Sequence, residues 1–260
     1  MSDHVRTELY RALDTARAIV VFTGAGVSTG AGIPDYRGPG GRYSRFQPVY
    51  YDEFLGDEEK RREYWLHKAS VWPAMRDAEP GPAHHLCTYL RGTGRLRGVV
   101  TQNVDGLHEK AGLPSEAIVN LHGSNLEVEC ISCGGRRPAG EILDGAAQRW
   151  SGGAAGTFDP PRCDAGGGLL KPATIMFGQS LRSDDLVRAE TILTGSDLFV
   201  VFGSTLTVQP AASLPMLARE GGADLAIVTR GPTPLDDHAR YRIDDDIDEF
   251  AAEYVEQRRE

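Results

Sequence analysis

The residues best suited to chemistry begin with a glycine-rich segment, residues 24–32, followed by the sequence Ile-Pro-Asp-Tyr-Arg-Gly. The segment comes directly after the apolar run Ala18–Phe22, which is typical of a buried strand. Glycines let the backbone turn tightly, and at the end of a parallel strand such a turn binds the phosphates of a dinucleotide. The G-x-G-x-x-G fingerprint of dehydrogenases is not met, because Thr29 stands where its third glycine belongs. A phosphate-binding turn of another kind and a plain tight turn both fit this segment.

A second polar cluster, Gln102, Asn103 and Asp105, follows the predicted strand Leu96–Thr101. Amide and carboxylate groups at a strand end hydrogen-bond sugar hydroxyls and a carboxamide. The alternative is a turn with a helix cap, which Asn and Asp commonly form.

His122 precedes a glycine in a predicted loop, where an imidazole suits proton transfer near neutral pH. A structural histidine is the alternative. The chain also contains His84, His85 and His108, so residue type alone does not select the base.

The pair Cys130-x-x-Cys133 and the later Cys163 form part of a zinc-ribbon pattern, which needs two C-x-x-C pairs. The expected fourth ligand is replaced by Gly166. Either zinc binds through three thiolates plus Asp164, another group or water, or the metal has been lost. The fourth cysteine of the chain falls in a predicted helix and is expected to lie in the core.

Strands and helices alternate along the chain, which predicts an α/β fold with a parallel sheet. The strands are predicted at 18–23, 96–101, 197–203 and 223–229, and the helices at 3–16, 58–71, 84–90, 185–193, 210–219 and 245–258. The rest of the segment 34–82, outside helix 58–71, is predicted to form a mobile lid. Because ligands bind at the carboxyl ends of parallel strands, the loops after Thr23, Thr101 and Phe202 are expected to form one site.

The 260 residues suffice for one large or two small domains with a sizeable core. A net charge of −9 argues against a nucleic-acid partner and favours a basic protein tail. No apolar run approaches the roughly 20 residues that span a bilayer, and the first residues lack the apolar part of a signal peptide. A cytoplasmic protein without a membrane partner is therefore expected.

Five segments, taken in order, resemble the sirtuin family of NAD-dependent protein deacylases over about residues 10–255. They are GAGVSTGAGIPDYRG, TQNVDGLH, LHGS, KPATIMFG and GSTLTVQPA. The resemblance implies a Rossmann-like parallel sheet with an inserted small zinc-ribbon-like module. The NAD-binding domain would comprise residues 1–37, 81–124 and 171–260, and the small module residues 38–80 and 125–170.

The resemblance also implies roles for individual residues, with His122 as the catalytic base and Asn103 as a second catalytic residue. The implied NAD-binding residues are Gly24, Ala25, Gly26, Asp35, Tyr36, Arg37, Gln102, Asn103, Asp105, Gly203, Ser204, Thr205, Thr229 and Arg230. The residues implied to hold an extended acyl-lysine peptide as an added strand are Phe177, Gly178, Gln179, Leu206, Thr207 and Val208. The implied metal ligands are Cys130, Cys133 and Cys163.

The implied reaction frees the lysine and releases nicotinamide and O-acyl-ADP-ribose. A protein mono-ADP-ribosyltransferase would use the same site, and a non-catalytic NAD or ADP-ribose sensor would need no base. The residues Tyr50–Asp57 are similar to the branch of the mitochondrial lipoamidase/ADP-ribosyltransferase sirtuins. Desuccinylating members carry a Tyr-x-x-Arg pair, whereas this chain has Tyr64 and His67, so no strong preference for succinyl or malonyl lysine is expected.

Overall fold

The computed structural model of the chain describes residues 2–36, 41, 46–146 and 159–258. Its larger sheet contains β1 (Ile19–Thr23), β2 (Leu96–Thr101), β3 (Ile118–Asn120), β7 (Leu198–Phe202), β8 (Asp224–Val228) and β9 (Tyr241–Ile243). The strand order is β3-β2-β1-β7-β8-β9, and every neighbouring pair is parallel. All carboxyl ends of these strands therefore lie at one edge, as the sequence predicted.

A smaller antiparallel sheet contains β4 (Gly123–Cys130), β5 (Arg136–Pro138) and β6 (Leu170–Thr174) in the order β5-β4-β6. β4 starts three residues after β3 ends, so the chain passes from the large sheet to the small one at His122.

The described helices surround the two sheets. They are α1 (Ser2–Thr15), α2 (Tyr51–Gly56), α3 (Glu58–Asp77), α4 (Pro82–Gly92), α5 (Leu107–Lys110), α6 (Gly140–Leu143), α7 (Ser183–Leu193), α8 (Leu214–Glu220) and α9 (Ile247–Glu256). None of the helices described is both long and apolar enough to cross a membrane.

The central strands are buried on both faces, which explains why β1 and β7 are uninterrupted apolar runs. Val21 packs into the core cluster that contains residues of α1, α4 and α9. Val20 and Phe22 point the other way, into the cluster that contains residues of α7 and α8. Each large apolar side chain buried in this way contributes about 1.5–3 kcal/mol.

Two predicted elements differ from the structure. The helix predicted at 210–219 starts only at Leu214, after a 3₁₀ turn at Ala211–Ser213, and the proline in its first turn is Pro215. The helix predicted at 58–71 continues to Asp77, because the buried side chains of its last turns outweigh the hydrogen bond that Pro73 cannot make.

The sequence predicted a lid around α3, and the structure has a short helix there, α2, which precedes α3 in the chain. Residues 37–40 and 42–45, which belong to the same predicted lid, lie outside the described residues. In the large sheet, β3 and β9 were not predicted from the sequence, and in the small sheet none of the three strands was. β3 and β9 are each only three residues long and depend on pairing with a neighbouring strand.

Candidate active site

A cleft of about 910 Å³ lies at the carboxyl edge of the large sheet and extends to the small sheet. The segments after β1, β2, β7 and β8 all contribute to its lining, and residues of α3 and β6 line it from the small-sheet side. This volume is at the upper end of the range typical of ligand sites. The cleft is therefore large enough for a dinucleotide together with part of a second substrate.

The glycine-rich turn after β1 packs directly on the turn after β7. The amide of Gly26 donates a hydrogen bond to the main-chain oxygen of Gly203 at 2.9 Å. A Cβ atom added to Gly24 would lie 2.7 Å from that same oxygen. Both turns line the cleft, and only residues without a side chain allow this approach.

The loop after β2 is held by side chains on both sides. Gln102 Nε2 donates to Ser204 Oγ at 3.0 Å. Asn103 Nδ2 donates to Ser28 Oγ at 3.1 Å, and that hydroxyl donates to Asp105 Oδ2 at 2.8 Å. Gln102 and Asn103 line the cleft, whereas Asp105 is buried beneath it and orders the loop.

His122 sits where the two sheets meet. Its main-chain oxygen accepts a hydrogen bond from the amide of Ile175 at 2.8 Å, which ties it to the segment after β6. Its imidazole Nδ1 lies 3.0 Å from the main-chain oxygen of Gln102. Because a carbonyl only accepts, Nδ1 carries the proton, and Nε2 of the neutral ring keeps its lone pair. Nε2 has no hydrogen-bond partner within the described parts of the chain.

The surroundings of His122 favour its neutral form. Burial lowers the pKa of the imidazole below its usual value of 6.5, and the hydrogen bond to the Gln102 carbonyl opposes that shift only in part. A neutral imidazole with a free Nε2 lone pair, lining a ligand-sized cleft, is suited to act as a general base near pH 7.

The other histidines are distinguished by burial. His84 and His108 are fully or almost fully buried, with ring centroids 4.9 Å apart, and do not line the cleft. Burial lowers the pKa of His84 to about 4 and that of His108 to about 3, so both are neutral core residues. Residue type alone does not distinguish these two core histidines from His122.

Most predicted site residues come together in the cleft. Those that line it are Gly24, Ala25, Gly26, Asp35, Tyr36, Gln102, Asn103, His122, Phe177, Gly178, Gln179, Gly203, Ser204, Thr205, Val208, Thr229 and Arg230. Asp105, Leu206 and Thr207 are not among the lining residues, and Arg37 lies outside the described residues.

Leu206 is the one non-glycine residue with a positive φ, 53°, in the described part of the chain. Its amide donates to Ser204 Oγ at 3.2 Å, and its side chain is buried. Backbone strain of this kind costs about 1–3 kcal/mol and concentrates at ligand sites. Leu206, the strained residue, lies in the chain between Ser204 and Val208, which both line the cleft.

Several lining residues were missed by sequence reasoning. From the small-sheet side the cleft receives Phe46, Tyr64, His67 and Lys68, of which only Tyr64 and His67 were considered before. The ring of Phe46 packs against His67 with 4.2 Å between centroids. No local motif marks these residues, because their place in the cleft depends on how α3 packs against the small sheet.

At the opposite end the cleft is lined by Asp245, Asp246 and Asp248, at the start of α9. Arg230 donates to Asp246 Oδ2 at 2.8 Å, and Asp246 caps the helix. The run of three aspartates at 244–246, directly before the apolar helix, indicates a helix start from the sequence.

The three cysteines Cys130, Cys133 and Cys163 also come together, with their sulfur atoms within 4.8 Å of one another. Three soft thiolates at this separation fit a zinc ion. They do not line the cleft. Cys87 is buried in the main core, as predicted.

The fold and the cleft define a Rossmann-like α/β protein with a dinucleotide-sized site at the carboxyl edge of its sheet. The profile of the Sir2 family matches residues 24–210. The chain belongs to the Sir2 family.

Individual relatives agree with this assignment. The "NAD-dependent protein deacetylase" of Rhodopseudomonas palustris is 39% identical over 240 residues, 92% of each chain. The "NAD-dependent protein deacetylase 2" of Streptomyces coelicolor is 41% identical over 225 residues, 85% of this chain and 89% of the relative. A solved Sir2 structure with a deacetylated p53 peptide and 3′-O-acetyl ADP ribose has 33% identity and a TM-score of 0.84, with 96% and 97% of the two chains covered.

Proposed function

We propose that the chain is an NAD-dependent protein-lysine deacylase. The observation that carries the proposal is His122, whose Nε2 lone pair is available in the cleft formed by the two glycine turns and the Gln102–Asp105 loop. Relatives that match nearly the whole chain are named as NAD-dependent protein deacetylases, and a neighbouring Sir2 structure holds a p53 peptide with NAD.

The lining residues fit NAD. The turns at Gly24–Gly26 and Gly203–Thr205 line the cleft where its phosphates would lie. The amides of the three glycines already donate to main-chain oxygens, so the donors to the phosphates would be the amides of Ala25 and Thr205. Thr229 and Arg230 would hold the adenosine half, and Gln102 and Asn103 the nicotinamide half. When bound, NAD supplies nicotinamide as a leaving group and a ribose that accepts the acyl group.

The protein's part in the chemistry is to move a proton and exclude water. Nε2 of His122 accepts a proton in the cleft, while Nδ1 stays bonded to the Gln102 carbonyl and holds the ring in place. General-base catalysis of this kind contributes on the order of 10²–10⁴-fold. The buried apolar side chains of Val49 and Met176 line the same cleft and limit access of water.

The acyl-lysine substrate would enter between Phe177–Gln179 and Val208, which line the cleft together. The main-chain oxygen of Phe177 already accepts from the amide of Tyr51 at 2.9 Å, and the amide of Gln179 donates to the Met176 oxygen at 3.0 Å, so a peptide strand would pair with the main chain of Gly178 and the main-chain oxygen of Gln179. An acylated protein is the expected partner, and the net charge of −9 favours a basic segment around the lysine. A cytoplasmic location belongs to the same proposal, since all four cysteines are free thiols.

The test is removal of acetyl from a lysine peptide, followed by mass spectrometry, with wild type and His122→Ala. The proposal expects free lysine and O-acetyl-ADP-ribose from the wild type only, and NAD binding by both proteins. Transfer of ADP-ribose to protein without loss of the acetyl group would instead establish the mono-ADP-ribosyltransferase. NAD binding with no turnover on acetyl or longer acyl chains would establish the sensor.

A further inference from the structure

The two turns that carry the cysteines have the same main-chain hydrogen bonds. In the first, the amide of Gly134 donates to the Cys130 oxygen at 2.9 Å, and the Cys130 amide donates to the Gly135 oxygen at 2.9 Å. In the second, the amide of Gly167 donates to the Cys163 oxygen at 2.7 Å, and the Cys163 amide donates to the Gly168 oxygen at 2.8 Å.

Gly134 and Gly167 also share a left-handed conformation, with φ of 70° and 68°. The two turns therefore match residue by residue. Gly166 occupies in the second turn the position that Cys133 occupies in the first.

The distances fit a tetrahedral zinc ion with one position left over. Cys133 Sγ and Cys163 Sγ lie 3.9 Å apart. Zn–S bonds of about 2.3 Å in a tetrahedron place the sulfur atoms about 3.8 Å from one another. A Cβ atom added to Gly166 would have nothing within 4 Å, so the side of the site where a fourth thiolate would stand is open.

None of the described residues is placed as a fourth ligand. Among the described residues, the group of metal-binding atoms contains the three cysteines alone. The segment 147–158, outside the description, contains no Cys, His, Asp or Glu. Asp164 is next to Cys163, but its carboxylate faces solvent and accepts from Arg137 at 2.9 Å.

We propose that Cys130, Cys133 and Cys163 bind one Zn²⁺ whose fourth ligand is an exchangeable water that a small thiol displaces. In the exchange, the Zn–O bond to water breaks, a Zn–S bond to the incoming thiolate forms, and the thiol proton goes to solvent. Closed four-ligand sites are structural, whereas three protein ligands leave a position for an outside molecule. The proposal concerns the small sheet alone and does not depend on the catalytic assignment.

The experiment uses the full chain loaded with Co²⁺ in place of zinc, because the Co²⁺ absorption spectrum reports the number of thiolate ligands. Wild type, Gly166→Cys and Asp164→Asn are titrated with 2-mercaptoethanol. We expect a saturable increase of the sulfur-to-cobalt absorption in the wild type and in Asp164→Asn. Gly166→Cys should show four-thiolate absorption from the start and no response to the thiol.

A second readout is the rate at which a chelator removes zinc. An open position lets the chelator attack the metal, so we expect release from the wild type to be faster than from Gly166→Cys. Failure of the wild type to bind metal stoichiometrically would overturn the proposal. So would a wild-type spectrum that ignores the thiol, or one that Asp164→Asn alters before thiol is added.

Discussion

Gly203 and Gly26 lie back to back, and a Cβ atom added to Gly203 would come within 2.8 Å of the Gly26 Cα and 2.6 Å of the Val27 amide. This contact joins the turn after β1 to the turn after β7 and sets the floor of the cleft. The backbone atoms concerned cannot move without displacing both turns.

Gly203→Ala is therefore expected to destabilise the fold by about 1–3 kcal/mol through overpacking and to weaken NAD binding. Urea unfolding and NAD titration calorimetry measure the two effects. Gly112→Ala is the matched control, because Gly112 also has a positive φ, 93°, but nothing within 4 Å of an added Cβ. Equal losses in both variants would assign the effect to backbone strain and not to the contact between the turns.

The acid limb of the activity profile is predicted to fall below pH 6.5. Burial lowers the pKa of His122, and the base is active only when neutral, so activity is retained as the pH drops until the imidazole takes up a proton. Measurement of kcat/KM from about pH 5 to 9 checks this. An acid limb above the usual histidine pKa of 6.5 would contradict it.

The composition of the site was predictable to a large extent from local sequence. The glycine turns and the Gln102–Asp105 loop follow apolar runs, and a parallel sheet brings such loops to one edge whatever the rest of the chain does. Residue type alone did not select His122, which the family resemblance indicated, and the structure adds the physical reason that His122 lines the cleft whereas His108 is buried in the core.

The small-sheet side of the cleft could not be predicted in the same way. Lys68 reaches the cleft beside Asn125 of β4, and Phe46 packs on His67 of α3, so both placements depend on contacts distant in sequence. The matching of the two cysteine turns was likewise hidden, since it rests on main-chain hydrogen bonds and not on residue types.

Thr101 is predicted to position the loop that carries Asn103. Its hydroxyl accepts from the Asn103 amide at 3.0 Å and from Thr23 Oγ1 at 2.7 Å, and Thr23 Oγ1 lies 3.0 Å from His108 Nε2. Thr101→Val leaves a buried amide without an acceptor, which costs about 1–3 kcal/mol. We expect a higher KM for NAD, while Thr101→Ser, which keeps the hydroxyl, should behave like the wild type. Loss of function in Thr101→Ser as well would contradict this role.

The acyl end of the site is predicted to favour acetyl over succinyl lysine. Lys68 Nζ donates to Asn125 Oδ1 at 2.9 Å, and Tyr64 Oη lies 3.3 Å from Thr174 Oγ1, so these polar groups already have partners. His67 stands where desuccinylating relatives carry an arginine, so a carboxylate on the acyl chain would lack a bidentate partner at that position. Turnover of acetyl-, succinyl- and lipoyl-lysine peptides is the measurement. Lys68→Met is the variant that removes the positive charge of Lys68. A dominant succinyl rate that Lys68→Met abolishes would contradict the prediction.

The buried pair His84 and His108 is predicted to make the fold sensitive to mild acid. Their pKa values, about 4 and about 3, lie below the value of 6.5 expected in the unfolded chain. As the pH falls below 6.5, these histidines bind protons in the unfolded state but stay neutral in the folded state. The free energy of unfolding therefore decreases by about 1.4 kcal/mol per pH unit for each histidine.

Removal of one histidine should lower that slope by the same amount. Urea unfolding of wild type and His108→Gln, which keeps a polar group near the Nε2 position, measures the difference. His238→Gln is the control, since His238 is exposed. An unchanged slope in His108→Gln would mean that His108 takes up its proton in the folded state too.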